Sequence, residues 1–268
     1  MPAMYAHARF GEEVALLVAP SLQTTIRKYK QEYLLGLQGP DILFFYRPII
    51  KTKVSNLGAV LHKKSAASFI EKHKEMLQFY GKESREYAYF LGFLCHFILD
   101  SECHPFIDTM GPKHNLDHLV MESEFEKMLL RKDKYNPYHY AYDTLLRYEK
   151  QTLDAIHHFY PELTRLHLQE SLSSTRFVKR FLYTPTKRKQ TMIKTLMKVS
   201  GKYEVFKGQL LDHQDHPKYR TSNFGIYNRY VVAKMAAADL LHNVDGYLKQ
   251  EQTLDVRFMR TFELEESV

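Results

Sequence analysis

The chain has 268 residues, of which 44% are hydrophobic and 26% are charged, and these proportions exclude a wholly disordered chain. Its formal net charge of +7 favours anionic partners such as phosphate esters, lipid head groups or nucleic acid, although a protein without such a partner can carry the same charge. The sequence contains no RNA-binding signature and no basic zipper, so nucleic acid is the least favoured of these partners.

Residues 1–20 lack the basic start, the long apolar run and the small-residue cleavage site of a secretory signal. No stretch of the sequence reaches the apolar length that a membrane span requires. The two cysteines, Cys95 and Cys103, form no Cys-x-x-Cys pair, and on one helix they would lie about 12 Å apart, too far for a disulfide. We therefore expect a cytoplasmic protein without a transmembrane segment and without a thiolate metal site.

Apolar residues recur mainly at three- and four-residue spacing, which predicts helices, and strands that alternate with helices are not indicated. In chain order, the predicted helices cover residues 3–19, 22–36, 59–80, 84–103, 114–132, 140–159, 161–183, 187–200, 223–248 and 251–264. We predict one all-α domain over residues 1–268. Its functional half would comprise about residues 1–135, followed by further helices over residues 136–268.

The long connection over residues 37–58 places Asp41 directly after a Gly-Pro pair and then contains an exposed-looking aromatic run. Long irregular segments of a compact domain are often functional. The aromatic side chains are therefore candidates for an apolar wall beside a substrate, although ordinary core packing is the simpler explanation. They are Phe44, Phe45 and Tyr46.

Residues 90–105 combine possible metal ligands with an apolar helix. His96, Asp100 and His104 follow one another at four-residue spacing, so they share one helix face if the helix persists to His104. Pro105 limits the helix just before it, and His104 is expected near the helix end. Because the rest of the segment is apolar nearly all round, these side chains should be buried, and they must be paired, hydrogen-bonded or bound to a metal. A structural His–Asp pair explains these residues as well as a metal site does.

The next predicted helix favours the metal site, because it carries His118 and Glu122, again four residues apart. Metal centres of helical bundles are built from inward-facing imidazole and carboxylate groups on neighbouring helices. Such ligands without thiolate suit zinc, manganese or iron. His114 lies one turn before His118 and is a candidate to orient that ligand or to contact the substrate.

Three upstream residues are further candidate ligands, and each has a simple alternative explanation. Asp41 could shape the turn after the Gly-Pro pair, and His62 could cap a helix or be solvated. His7 could be a hydrogen-bonded histidine of the core.

Several segments of the first half together resemble one known family. They are Gly36-Leu37-Gln38-Gly39-Pro40-Asp41, Leu61-His62, His96-x-x-x-Asp100, His104-Pro105 and His118-x-x-x-Glu122. The chain resembles the zinc-dependent phospholipase C family, whose helical fold is shared with the P1-type zinc nucleases. The resemblance covers roughly residues 5–130, and its most specific part is the spacing of fourteen and then four residues from His104 to His118 to Glu122.

The resemblance implies an all-α fold that holds up to three zinc ions. Carried over residue by residue, the ligands of the first metal are Asp41, His62, His96 and Asp100. The ligands of the second metal are His104, His118 and Glu122. His7 would hold the third metal, with Asp100 as a bridge. Asp41 is also our candidate for the catalytic group that helps orient or deprotonate the attacking water.

The implied function is hydrolysis of a phosphate ester by two to three zinc ions, or by other divalent transition metals, which activate the water. A phospholipid is the substrate that the family suggests, with peripheral contact to a membrane. The alternatives are a nuclease or a phosphomonoesterase of the same fold, because a fold does not fix a substrate. A further alternative is a metal-stabilised binding or scaffold protein with weak catalysis.

Overall fold

The computed structural model describes residues 3–262, and within that range every regular element is helical and no strand occurs. This confirms the predicted all-α fold class. The α-helices are α1 (Met4–Ala15), α2 (Pro20–Lys28), α3 (Lys30–Gly36), α4 (Lys53–His62), α5 (Ala66–Tyr80), α6 (Arg85–His114), α7 (His118–Lys132), α8 (Lys150–His157), α9 (Arg165–Leu182), α10 (Lys187–Val199), α11 (Tyr203–Phe206) and α12 (Arg220–Leu248). Short 3-10 segments cover Gly39–Phe45, Pro137–His139, Tyr142–Leu146, Lys207–Gln209, Pro217–Tyr219 and Val256–Met259.

The fold is organised around α6, a 30-residue helix that is buried along most of its length. Helix α3 approaches α6 closely because a glycine of each helix lies at the crossing. A Cβ atom at Gly36 would collide with the carbonyl oxygen of Tyr89, and one at Gly92 would collide with that of Tyr33. This contact positions the chain that follows α3, where the Gly39–Phe45 segment begins.

Helix α6 is longer than the sequence predicts. Ser84 caps its start by accepting a hydrogen bond from the N–H of Tyr87, and the helix continues through Pro105 and Pro112 before ending at Asn115 in a left-handed conformation. A proline inside a helix removes a hydrogen bond and costs about 3 kcal/mol. The prediction that the helix ends near residue 103 was wrong because burial of the following turns stabilises the helix despite Pro105.

The predicted helix over residues 59–80 is two helices, because each of them has its own N-terminal cap. Thr52 and Ser55 form a capping box at the start of α4, and the Ser65 side chain accepts from the N–H of Ser68 at the start of α5. Local hydrogen bonds of this kind stabilise a helix start against continuation of the preceding helix. The connection over residues 37–58 also contains regular structure, because it includes the 3-10 segment Gly39–Phe45 and the start of α4.

Two predicted helices of the second half are shorter than expected. Over residues 140–159, the α-helix is confined to α8, and a 3-10 segment precedes it. Within residues 251–262 the regular structure is the 3-10 segment Val256–Met259, and the predicted residues 263–264 lie outside the described range. The apolar spacing that suggested these helices arises instead from extended and turn segments that pack onto the core.

The apolar core is one large cluster that includes side chains of α1 to α9 and of α12. A smaller cluster of Leu182, Ile193, Met197 and Leu210 lies beneath α10. No helix among residues 3–262 is both long and apolar enough to cross a bilayer. The expectation of a single domain over residues 1–268 stays a prediction.

Candidate metal centre

All eight predicted ligands belong to groups of side chains that lie close together. Within each group, the potential ligand atoms are within 4.8 Å of one another. The groups are His7 with His96 and Asp100, Asp41 with His62 and His96, and His104 with His118 and Glu122. The first two groups share His96, so helices α1, α4 and α6 and the Gly39–Phe45 segment contribute to one connected region.

The group around His96 joins the 3-10 segment to α4 and α6. The Nε2 atom of His62 lies 2.9 Å from Oδ1 of Asp41, and the Nε2 atom of His96 lies 3.9 Å from the same oxygen. The Nε2 atom of His96 is also 3.1 Å from Oδ2 of Asp100. Two imidazole nitrogens and two carboxylates therefore face one another in the protein interior.

The third group, that of His104, His118 and Glu122, joins α6 to α7. The Nε2 atoms of His104 and His118 lie 3.3 Å and 3.1 Å from the same oxygen, Oε1 of Glu122. His104 and Glu122 are buried, whereas the His118 side chain is 37% exposed. Of the three groups, this one therefore contains a ligand that is partly exposed to solvent.

Asp100 connects the groups, because its carboxylate faces three histidines. Oδ1 lies 3.3 Å from Nε2 of His7 and 3.8 Å from Nε2 of His104, while Oδ2 faces His96. The ring of His7 stacks on that of His96 with centroids 4.2 Å apart. The four-residue spacing therefore places His96, Asp100 and His104 on one face of α6, as the sequence predicts, and both histidines face Asp100.

Four of the histidines are oriented by a hydrogen bond from Nδ1. A carbonyl or carboxylate oxygen only accepts, so in the neutral ring Nδ1 carries the proton and Nε2 presents its lone pair to the centre. The pairs are His62 with the Gly58 carbonyl at 2.8 Å, His96 with the Leu37 carbonyl at 3.1 Å, His104 with the Phe262 carbonyl at 3.0 Å and His118 with Oδ1 of Asp108 at 3.0 Å. This is the arrangement found around histidines that ligate metals.

The residues present fit a bound metal. Within residues 3–262, several buried polar atoms of the centre have close neighbours but no hydrogen bond of acceptable geometry. They are Nε2 of His62 and of His96, Oδ2 of Asp100 and Oε2 of Glu122. Buried polar atoms without such bonds are costly, and a shared cation would satisfy them together. Imidazole nitrogen and carboxylate oxygen without thiolate are suitable ligands for zinc.

The electrostatics of the third group, that of His104, His118 and Glu122, also suit a cation. Burial lowers the pKa of both imidazoles, but neighbouring carboxylates outweigh it and raise the pKa of His104 to about 9 and that of His118 to about 10. Burial raises the pKa of Glu122, yet the two histidines lower it to about 2. The group therefore holds positive charge between its members, either as protons or as a metal ion.

We expect metal binding to release protons. At pH 7.5, both His104 and His118 are protonated in the metal-free protein because their pKa values lie above that pH. A metal requires the neutral imidazole, so filling this group should expel about two protons, and affinity should rise as the pH approaches 9. Calorimetric titration with zinc in buffers of different ionisation enthalpy measures this number, and binding without proton release would contradict the assignment of these ligands.

Asp108 is a residue of the centre that the sequence interpretation missed. Its carboxylate accepts a hydrogen bond from Nδ1 of His118 and so orients that ring. The sequence had suggested His114 for this role. His114 is instead exposed at the end of α6. The available signal was the continued four-residue spacing from His104 to Asp108, which the expected helix end at Pro105 obscured.

Replacement of Asp108 by alanine should lower zinc affinity at the His118 group by about 10- to 100-fold, because the ring of His118 loses the bond that orients it. Competition with a chelating dye measures the affinity. Asp143→Ala is the matched control, since Asp143 is a comparably exposed carboxylate that pairs with Arg180. Equal zinc affinity of the two variants would show that Asp108 does not orient His118.

The C-terminal segment also contributes to the centre, although it carries no sequence motif. The carbonyl of Phe262 accepts from His104, and its N–H donates to the carbonyl of His62. Its ring lies 5.1 Å from that of His62.

Of the aromatic run, only Phe44 has its ring beside a candidate ligand, 5.3 Å from His62. Phe45 and Tyr46 are buried, so the exposed appearance of the run was misleading.

A buried ammonium group lies beside this region. Nζ of Lys179 donates to the side chain of Gln209 at 3.2 Å and lies 5.8 Å and 5.5 Å from the ring centroids of Phe45 and Tyr142. Burial lowers the pKa of Lys179, while the carboxylates of Glu126, Asp41 and Glu122 oppose this effect. The second half of the chain therefore adds a buried lysine that packs against Phe45, in the segment that contains Asp41.

Comparison with known proteins gives one family. The family model described as zinc-dependent phospholipase C matches residues 6–172, a range that includes every candidate ligand from His7 to Glu122. Neither the curated proteins nor the solved structures gave a match. Because the matched range covers more than half of the 268 residues, the chain belongs to the zinc-dependent phospholipase C family, as the sequence resemblance indicated.

Proposed function

We propose that the protein is a zinc-dependent hydrolase of phosphate esters, of phospholipase C kind, with two to three zinc ions. The observation that carries this proposal is the arrangement of three ligand groups around Asp100. Asp41, His62, His96 and Asp100 would hold one ion, and His104, His118 and Glu122 a second. His7, with Asp100 as a bridge, would hold a third.

Bound zinc supplies Lewis acidity and a water of lowered pKa. Asp41 is the residue that we assign to this water. In the metal-free protein, burial raises the pKa of Asp41, but positive charge nearby, including that of His62, outweighs burial and keeps the pKa below its ordinary value. Bound zinc ions would act in the same direction. The carboxylate of Asp41 therefore stays ionised and accepts a hydrogen bond from the water, which makes it a better orienting group than a base.

A phosphomonoesterase is the second candidate, and Lys179 is the observation that favours it. Its buried ammonium group lies beside aromatic rings and near the carboxylates of Asp41 and Glu122. The carboxylates of Glu126, Asp41 and Glu122 favour the charged form of Lys179, and this form adds positive charge to the region. A phosphomonoester carries more negative charge than a phosphodiester, so this charge benefits the monoester more.

The test is turnover by the zinc-loaded protein of three substrates: a choline phosphodiester, a simple phosphomonoester and single-stranded DNA. We expect turnover of the phosphodiester that a chelator removes, that zinc restores and that the His118→Ala variant lacks. Faster turnover of the monoester would indicate a phosphomonoesterase, and faster turnover of DNA would indicate a nuclease. No activity above that of His118→Ala on any substrate would overturn the proposal and leave a metal-stabilised binding protein.

We also propose that the protein acts in the cytoplasm. Cys95 and Cys103 are both free and buried, which suits a reducing compartment. Fractionation of cells that express the full-length protein tests this, and recovery from the oxidising, extracytoplasmic fraction would contradict it.

A further inference from the structure

Helix α10 and the residues after it form a strongly basic segment of the second half. Residues 187–202 contain six lysines and arginines and no acidic residue. Lys194 pairs with Asp212 at 2.6 Å. Within the described residues 3–262, the remaining five basic side chains make no ion pair with a carboxylate within 4.0 Å. They are Lys187, Arg188, Lys189, Lys198 and Lys202. Their charge is therefore available to an anionic partner.

The same helix has two apolar faces. Ile193 and Met197 are buried and pack in the small cluster with Leu182 and Leu210, which attaches α10 to the protein. On the outer side, three apolar residues at helical spacing are exposed instead. They are Met192 at 63%, Leu196 at 54% and Val199 at 81% exposure. Because the inner face already holds the helix in place, the outer apolar row is not needed for folding.

We propose that α10 docks the protein on a membrane surface that contains anionic lipids. Met192, Leu196 and Val199 would enter the boundary between head groups and acyl chains, while the surrounding lysines and arginines contact lipid phosphates and carboxylates. An exposed apolar row flanked by basic residues is typical of helices that lie in a membrane interface. Nucleic acid is less favoured, because its backbone offers nothing for three exposed aliphatic side chains.

Docking through α10 would support the proposed hydrolysis because of where α10 lies in the chain. Helix α10 follows α9 directly in the chain, and α9 packs against the Gly39–Phe45 segment that contains Asp41. Docking through α10 would therefore bring the protein to lipid phosphate esters without occupying the ligands themselves. The docking does not depend on catalysis, so it can be tested separately from the hydrolysis.

The test is co-sedimentation of the full-length protein with vesicles of phosphatidylcholine alone or of phosphatidylcholine mixed with phosphatidylserine. We expect binding to the mixed vesicles, weaker binding to phosphatidylcholine alone and a decrease with added salt. Leu196→Ser together with Met192→Ser should weaken binding on the order of tenfold. Leu17→Ser is the matched control, because Leu17 is also 54% exposed but follows the acidic pair Glu12 and Glu13.

Turnover of a water-soluble phosphate ester should be the same in wild type and in the α10 variant, which separates failure of docking from failure of the proposed function. Absence of binding to the mixed vesicles would overturn the docking proposal. Equal loss of binding in the Leu17→Ser control would do so as well. If the protein binds a DNA or RNA oligonucleotide but does not bind vesicles, the basic surface is a nucleic-acid site instead.

Discussion

Replacement of Asp100 by asparagine is expected to remove zinc from the centre and to lower zinc-dependent hydrolysis by about 100- to 1000-fold. The carboxylate of Asp100 faces His7, His96 and His104. Asparagine keeps the size of the side chain but replaces one ligand oxygen with an amide group that donates hydrogen bonds and carries no charge. A loss of this size equals about 3–4 kcal/mol of transition-state stabilisation. Elemental analysis and steady-state turnover measure the two effects.

Asp245→Asn is the matched control for this variant. Asp245 is also a buried carboxylate, but it accepts hydrogen bonds from Tyr87, Lys82 and Lys249 rather than from a candidate ligand. We expect this variant to lose stability while it keeps its zinc. Zinc content of Asp100→Asn equal to that of the wild type would remove Asp100 from the centre.

Replacement of Gly39 by alanine is expected to disturb the centre as strongly as loss of a ligand. Gly39 has φ +51°, and a Cβ atom there would lie 2.5 Å from Cδ2 of His96. The imidazole of His96 would have to move, although its Nδ1 is bonded to the carbonyl of Leu37. We therefore expect loss of zinc from the His96 group and a fall in turnover of about 100-fold, because ligands need placement within a fraction of an ångström.

The control for this variant is Gly81→Ala. Gly81 has φ +73°, and nothing lies within 4 Å of the position that a Cβ atom would take. Alanine at positive φ strains the backbone at both positions, by about 1–3 kcal/mol, but only Gly39→Ala adds the collision with His96. Similar zinc content and turnover in both variants would show that the close approach of Gly39 does not shape the centre.

Helix periodicity was sufficient to predict part of the centre. His96, Asp100 and His104 share a face of α6, and His118 and Glu122 share a face of α7, because residues four apart lie one above the other. That α6 and α7 bring these faces together is a tertiary contact, and periodicity within one helix carries no information on it. The resemblance to a known family supplied that information.

Other parts of the centre were beyond what the sequence pattern predicts. Asp108 continues the spacing of α6, but Pro105 suggested a helix end, and only the packed structure shows that burial outweighs the cost of that proline. Phe262 contributes through its backbone, and any residue type offers the same carbonyl and N–H groups. Lys179 lies on α9 and comes near Asp41 only because α9 packs against the segment that contains Asp41. The sequence pattern does not indicate this tertiary contact.

The most direct test of the metal centre is a zinc-edge anomalous difference map from crystals of the zinc-loaded protein. We predict strong peaks about 2.0–2.1 Å from Nε2 of His96 and from Nε2 of His118. Each peak should also have an oxygen of Asp100 or of Glu122 among its ligands. Absence of anomalous density at both places would contradict the metal centre and, with it, the proposed hydrolysis.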